Sequence, residues 1–478
     1  GRSAVVRHDE AADGDGTRPP SDSRKPEPLR ARVAFQNAAL VLLSACSVAL
    51  HAFMPDQFES YYGVTAGPVA AMTFVFFTTH ILTGPFVAVL LTEHGEKRAL
   101  VAASVLNAAG AALKLFSLID GKFEVLLIGQ CCAAVALEIA ISAPAMVAAR
   151  WFPRSERGSA VVAVVISETI GFAIAAVLPL IVVVHSVHYA LLGTFLALFL
   201  AASAETLAAV FLQPPFPLYG PAEGERAAVE ANAHSVDLLG GLRGVRLAAL
   251  RLITTNVDFA ILAATAGTSM GLFWVYTFTM PSALEPFGFS DATAGGITFL
   301  KLTASVPIAV GIAGMLDQSR RYRKYLLCLL GGIAVFMALI ATTVGAMRDN
   351  ESGNNVAFII CVGGFNVFLG VAQAALPAVA LEHVAEVSFP TAPGVSGTVF
   401  IWIAHCVGAF WLLIVVLLVP PEGGVSRVRG RAYFTVFAVI SALAFVGALF
   451  VSNRRRRRED EEERDEIRAA ANAERHRV

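Results

Sequence analysis

Polar residues in this chain gather at intervals, and between them run apolar stretches long enough to cross a bilayer. A crossing helix needs about 20 apolar residues for a hydrocarbon core about 30 Å thick. Runs of that length fall near 33–54, 67–92, 99–119, 124–149, 158–183 and 187–212, and again near 253–281, 292–316, 324–347, 355–385, 392–419 and 432–452. The pattern predicts an all-α integral membrane protein with about twelve transmembrane helices. Residues 1–30 carry Pro19, Pro20, Pro26 and Pro28 and few large apolar side chains. They read as a disordered tail, because they bury too little to offset the entropy of ordering. No signal-peptide pattern precedes the first run, so no removable leader is expected. Residues 213–250, with Pro214, Pro215, Pro217, Glu223, Glu225 and Arg226, read as a linker. It divides a six-helix half over 31–212 from a second over 251–452, and a charged tail follows over 453–478.

Composition sharpens this picture. Of 478 residues 56% are hydrophobic and 15% charged, and the mean hydropathy is +0.66. A soluble domain is about a quarter charged, so the chain lacks the charge to cover a soluble globule. A net charge of −1 argues against a nucleic-acid partner. Cys46, Cys131, Cys132, Cys328, Cys361 and Cys406 lie in or beside apolar runs without metal-ligand spacing, so neither disulfides nor a metal are expected. No phosphate-binding loop or hydrolase motif occurs, which excludes an ATP-driven pump within this chain and leaves no enzyme signature. No cofactor is expected, and a monomer is the expected state.

Lys and Arg mark the cytoplasmic ends of membrane helices. With the N-terminal tail inside, Lys97, Arg98, Arg154, Arg157, Arg243, Arg246, Arg320, Arg321, Arg323, Lys324 and Arg454 to Arg458 all fall in the cytoplasm. Both termini are therefore expected there. The exception is the last loop, with Arg427, Arg429 and Arg431. The Arg454–Arg458 run is a candidate for anionic headgroups, weakened by the acidic residues that follow.

Six helices, a linker and six more suggest the major facilitator architecture, with the solute bound between the halves. The loop after the second run, Thr92-Glu93-His94-Gly95-Glu96-Lys97-Arg98, resembles that superfamily's cytoplasmic latch through Gly95 and Lys97, with Thr92 where an acid would stand. Asp317 to Lys324, including Arg321, repeats an acid-then-base signal in the second half. Glu382 and Glu386 share one helix face near the loop before the eleventh run and join the latch candidates.

Longer blocks are more specific. They are Phe58-Glu59-Ser60-Tyr61-Tyr62-Gly63-Val64-Thr65, Gly129-Gln130-Cys131-Cys132 with Arg150-Trp151-Phe152-Pro153, Gly271-Leu272-Phe273-Trp274, and Glu382, Glu386, Phe389-Pro390 with Ser396-Gly397. Together they resemble the feline leukaemia virus subgroup C receptor family, the haem and choline/ethanolamine carriers of the major facilitator superfamily. The resemblance implies transport of a choline-like cation or haem. It also implies an aromatic cage, with a Trp in the first helix and a Tyr in the seventh. Here Val48 stands at the first position, and the seventh run offers Phe273, Trp274 and Tyr276. Members carry Gln in the fourth and eleventh helices, where this chain has Leu137 beside Glu138 and Ala404 beside His405.

An ionisable side chain at the bilayer centre costs at least about 2.5–3.5 kcal/mol, so each one needs a partner or a cavity. The candidates are His51, His80, Lys114, Glu138, Glu168, Glu205, Asp258, Lys301, Glu382, His383, Glu386 and His405. Lys114, Glu205 and Asp258 lie near run ends and are expected to snorkel, and Lys301 to neutralise an acid. Glu138, Glu168, His51 and His405 are deeper. With Phe273 and Trp274 they form the candidate substrate site: a carboxylate for charge and rings for the apolar body. The partner is then a small organic solute moved by a secondary transporter. The alternative is a non-transporting receptor or sensor on the same fold.

Overall fold

The computed structural model describes residues 29–152, 156–181, 186–212, 242–319, 321–347, 356–389, 391, 393–420 and 425–452. Twelve helices among them are long and apolar enough to span a membrane. Spans one to six are Arg30–Phe53, Ala66–Leu91, Glu93–Asp120, Phe123–Ala148, Arg157–Leu178 and Val187–Leu212. Spans seven to twelve are Val257–Phe287, Thr293–Leu316, Tyr322–Ala346, Val356–Val387, Val395–Leu418 and Arg427–Ala448. All regular structure among the described residues is helical, as buried backbone in lipid requires. Large apolar side chains such as Ile119, Phe211 and Leu417 point outward, which is where the surplus hydrophobicity goes.

Within the first half, span one packs along span five and span three along span four; within the second, span ten lies between eight and nine. The halves meet where span five runs along span eight and span eleven along span two. Trp402 on span eleven crosses that second seam, its Nε1 donating to the Ile81 carbonyl oxygen (2.9 Å). Most of the expected linker, residues 213–241, and the tail residues 1–28 and 453–478, with Arg454–Arg458, lie outside the described residues, while Arg30, expected in the tail, opens span one. From Leu242 to Thr255 the chain is already helical. Asn256 then caps span seven, accepting from the Phe259 backbone N–H (3.1 Å) and donating to the Val387 carbonyl oxygen of span ten (2.8 Å).

Two local departures from helix geometry shape the bundle. The expected loop after span two shrinks to a kink: between Ala66 and Asp120 the non-helical residue is Gly95, at φ 79° and ψ 165°, just inside span three. That region is essentially glycine-only, so the sequence turns from span two into span three without a true loop. A Cβ there would meet only the Arg150 guanidinium, at 3.8 Å, so the constraint is the backbone and not space. Gly95→Ala is expected to cost about 1–3 kcal/mol of stability, read as a lower Tm of the purified protein. The second departure is a π turn over Ala263–Gly267 in span seven. It inserts an extra residue into the turn and sets the face that the following segment, Thr268–Leu284, presents to its neighbours.

Beside Gly95, Glu96 is buried and accepts from Arg150 Nη1 (2.6 Å) and Trp151 Nε1 (3.2 Å), both at the end of the span-four segment. Arg30 pairs with Glu156 close by (3.0 Å). These contacts tie the first half to itself. Among the latch candidates, Lys97 is half-buried and Arg321 exposed, while Glu382 and Glu386 are buried in the last turns of span ten. The side chain of Asp317 lies outside what is described. In the second half, Arg323 holds the end of span twelve, donating to the carbonyl oxygens of Val451 (2.7 Å) and Leu449 (2.8 Å).

Candidate solute site between the halves

Spans seven and eleven cross where each lacks a side chain. A Cβ on Gly271 would fall 2.7 Å from the Ala404 carbonyl oxygen and 2.8 Å from the Gly408 nitrogen. This approach places Trp274, three residues after Gly271, face to face with His405, three residues before Gly408. Their rings stack at 4.1 Å and 10°. The opposite face of the cluster comes from span two, where the His80 ring stacks on His405 at 4.1 Å and 27°.

Each imidazole is oriented by its own helix. His80 Nδ1 donates to the Phe76 carbonyl oxygen (2.8 Å) and His405 Nδ1 to the Ile401 carbonyl oxygen (3.0 Å). A carbonyl only accepts, so in both rings Nδ1 bears the proton. A neutral His80 then offers the lone pair of Nε2. That atom faces Glu138 Oε2 at 3.5 Å, and His405 Nδ1 lies 3.7 Å from the same oxygen. On the other side of Trp274, its Nε1 donates to Glu168 Oε1 (2.9 Å). The result is a contiguous chain, Glu138–His80–His405–Trp274–Glu168, built from spans two, four and five of one half and spans seven and eleven of the other. Every member is buried. Phe76, Phe172 and Phe278 close round it, with Phe278 at 5.8 Å from Phe76 and 5.4 Å from Phe172.

Chemically the cluster offers two carboxyl groups beside flat aromatic faces. Glu168 has its bond from Trp274; among the described residues Glu138 has the Ser142 hydroxyl as a polar neighbour but no well-formed hydrogen bond, and His80 Nε2 has none either. A buried polar atom left unpaired costs about 1–3 kcal/mol, so these atoms are placed to receive something.

Two further candidates lie in adjoining networks. His51 on span one bonds Thr73 (2.8 Å) and lies 6.2 Å from the Phe278 ring, on the edge of the cluster. Phe273 faces away from Trp274's partners, since consecutive helical residues point about 100° apart. It packs near Phe172 and under Lys301, whose ammonium sits 5.0 Å from the Phe273 ring centre and 4.8 Å from that of Tyr276. Lys301 also donates to Thr277 Oγ1 (3.0 Å). Expected to neutralise an acid, it is held instead by ring faces and a hydroxyl, and among the described residues no carboxylate lies within ion-pair distance of it.

The snorkelling expectations are corrected as well. Lys114 is buried and donates to Ser47 O (2.7 Å), Ser47 Oγ (3.0 Å) and Gln130 Oε1 (2.7 Å), while Gln130 Nε2 donates to the Val48 carbonyl oxygen (2.9 Å). Glu205 accepts from Gln36 and from Ser104 Oγ (2.9 Å). Asp258 accepts from the Ser452 backbone N–H (3.1 Å), fixing the end of span twelve. Lys114 and Glu205 face other helices and not lipid, while Asp258 stays half-buried at the start of span seven. Position along a helix does not reveal which way a side chain is turned, and here the turn decides.

Comparison with known proteins agrees with this architecture. The profile of the Major Facilitator Superfamily matches residues 38–411. The chain is 24% identical over 424 residues to the choline/ethanolamine transporter FLVCR2 of Rattus norvegicus, covering 86% of this chain and 74% of that protein. It is 25% identical over 388 residues to the protein of the same name from Homo sapiens, covering 78% and 70%. To the choline/ethanolamine transporter FLVCR1 of Felis catus it is 23% identical over 397 residues, covering 80% and 68%. Among solved structures, the proton:xylose symporter XylE superposes with a TM-score of 0.65 at 11% identity, covering 91% of this chain and 98% of that one. The Escherichia coli fucose:proton symporter FucP gives 0.56 at 15% identity, covering 88% and 99%. At such identities the structural likeness is one of fold alone. Twelve spans in two halves, meeting along the seams described above, and a profile match running from the first span into the eleventh carry one conclusion: the chain belongs to the Major Facilitator Superfamily.

Proposed function

We propose that this protein is a secondary transporter that moves a small organic cation of the choline/ethanolamine kind by alternating access. The solute binds between the halves at the Glu138–Trp274–His405 cluster. The observation that carries the reading is the placement of two buried carboxyl groups, Glu138 and Glu168, against the stacked rings of His80 from one half and His405 and Trp274 from the other. A quaternary or primary ammonium needs a carboxylate for its charge and aromatic faces for its body. The names of the similar curated proteins point to the same solute class. Each half, over about residues 31–212 and 251–452, rocks as a unit, and the lysine and arginine pattern puts both termini in the cytoplasm.

Haem is the second solute, favoured by one observation: two histidines, His80 and His405, lie at the centre of the bundle, and histidine is an axial haem ligand. A receptor that does not transport would need no carboxyl groups buried at the seam between the halves.

Uptake of labelled choline, ethanolamine and haem into proteoliposomes, wild type beside Glu138→Gln, tests both the activity and the site. Loss of a charged partner worth about 1.5–3 kcal/mol should lower uptake of the accepted cation roughly tenfold to a hundredfold. Uptake of that cation unchanged by Glu138→Gln would remove Glu138 from the site. No uptake of any of the three would remove the transport reading.

A further inference from the structure

The distances around Glu138 do not fit hydrogen bonds. A nitrogen–oxygen hydrogen bond is 2.7–3.2 Å long, whereas His80 Nε2 and His405 Nδ1 stand 3.5 and 3.7 Å from Glu138 Oε2. Those separations resemble the edges of a metal polyhedron. With metal–nitrogen and metal–oxygen bonds near 2.0–2.2 Å, ligand atoms of a tetrahedral site lie about 3.4 Å apart. The three donor atoms all fall within 4.8 Å of one another, so the widest pair needs to close by at most about 1.4 Å. From these contacts we infer that His80, Glu138 and His405 bind one divalent first-row transition-metal ion at the seam between the two halves.

Two features support the site. Glu138 Oε2 and His80 Nε2 are buried without well-formed hydrogen bonds, and an ion would satisfy both. His80 is arranged as a metal-bound histidine usually is, with Nδ1–H on a main-chain carbonyl and Nε2 free to ligate. For His405, ligation through Nδ1 requires the ring to turn out of its stack between His80 and Trp274 and gives up the contact to Ile401 O, an oxygen already placed to accept the helix bond from the His405 backbone N–H. Two imidazoles and one carboxylate suit Zn²⁺ and its neighbours in the series rather than Mg²⁺ or Ca²⁺, which prefer oxygen.

The site has a mechanical consequence. His80 and Glu138 belong to one half and His405 to the other, so a bound ion cross-links them. It also occupies Glu138, the carboxylate offered to an organic cation. Metal binding and solute movement are then mutually exclusive.

The test uses the purified full chain in lipid nanodiscs, stripped of metal and titrated with Zn²⁺, with bound metal counted by mass spectrometry and Co²⁺ absorption as a coordination probe. The expected result is one tight Zn²⁺ per wild-type chain. His80→Ala, Glu138→Gln and His405→Ala should each weaken that binding roughly a hundredfold or more, since each removes one of three protein ligands. His188→Ala, at an exposed histidine outside the cluster, should leave it intact. Melting curves separate misfolding from lost ligation: Zn²⁺ raises Tm in the wild type and in His188→Ala but not in the three cluster variants. Wild-type binding no stronger than that of the cluster variants overturns the site. Tight binding that leaves choline uptake unaffected overturns the cross-link. Because metal is counted without transport, a protein that binds Zn²⁺ but moves none of the tested solutes refutes the transport reading alone.

Discussion

Replacing Gly271 with Leu is expected to abolish uptake and to leave little folded protein. At this crossing even a Cβ would lie 2.7 Å from the Ala404 carbonyl oxygen, 2.8 Å from the Gly408 nitrogen and 3.0 Å from the Gly408 Cα. All three are backbone atoms, so no side chain can swing aside and the helices themselves must part. Nor is there slack behind span eleven, because a Cβ on Gly408 would strike the Phe77 ring at 2.4 Å. Overpacking of this kind costs about 1–3 kcal/mol for small additions, and leucine adds three carbons beyond the Cβ. Gly271→Ala is the graded case: folded protein, a lower Tm, and weaker uptake because His405 is levered off the face of Trp274. Fluorescence-detected gel filtration, thermal melts and proteoliposome uptake read the three effects. A Gly271→Leu protein of wild-type Tm would show that spans seven and eleven do not approach as described.

The second large effect is expected at the hydrogen bond from Trp274 to Glu168, and here two conservative changes should separate. Trp274→Phe keeps an aromatic face for His405 but removes the only bond that Glu168 has within the cluster. Leaving that carboxyl buried and unpaired costs about 1–3 kcal/mol, so stability falls and uptake drops by roughly tenfold or more. Glu168→Gln keeps an oxygen for the indole N–H and removes the charge. Its Tm should hold or rise, because a neutral amide is cheaper to bury than a carboxylate, while KM for a cation should increase. Melts and uptake kinetics on the two proteins give the comparison. Equal losses of stability in both would mean that the charge, and not the indole bond, is what the fold depends on.

The spans were legible because a lipid core imposes a length on apolar runs, and runs such as 99–119 and 324–347 have that length whatever packs against them. Gly95 was legible as the glycine of a latch-like loop, but not as a kink inside a nearly continuous helix, since a φ of 79° leaves no trace in hydropathy. The site was legible in parts. Glu138, Glu168, Trp274 and His405 stood out as charges or rings where lipid-length helices should have none. Their mutual contacts did not stand out, because they depend on the rotation of five helices drawn from both halves. His80 shows this best: one lone histidine among several in the sequence, it proves to be the residue against Glu138. Lys114 failed for the same reason, its distance from a span end suggesting lipid while its rotation points it at Ser47 and Gln130. Nothing in the residues around Lys301 announced that its neighbours would be rings and not an acid.

Lys301 also bears on how the chain enters the membrane during synthesis. A lysine near the middle of a span makes that span a poor substrate for insertion, by about 2.5–3.5 kcal/mol if it is alone in lipid. Its ammonium meets Phe273, Tyr276 and Thr277, all on the span made immediately before it, while Gly370 of span ten packs on its stem. The partners of the charge therefore come from a segment already emerged from the ribosome. Spans seven and eight are best inserted as a helical hairpin, and a defect in span seven becomes a defect in membrane integration of span eight before any solute is met.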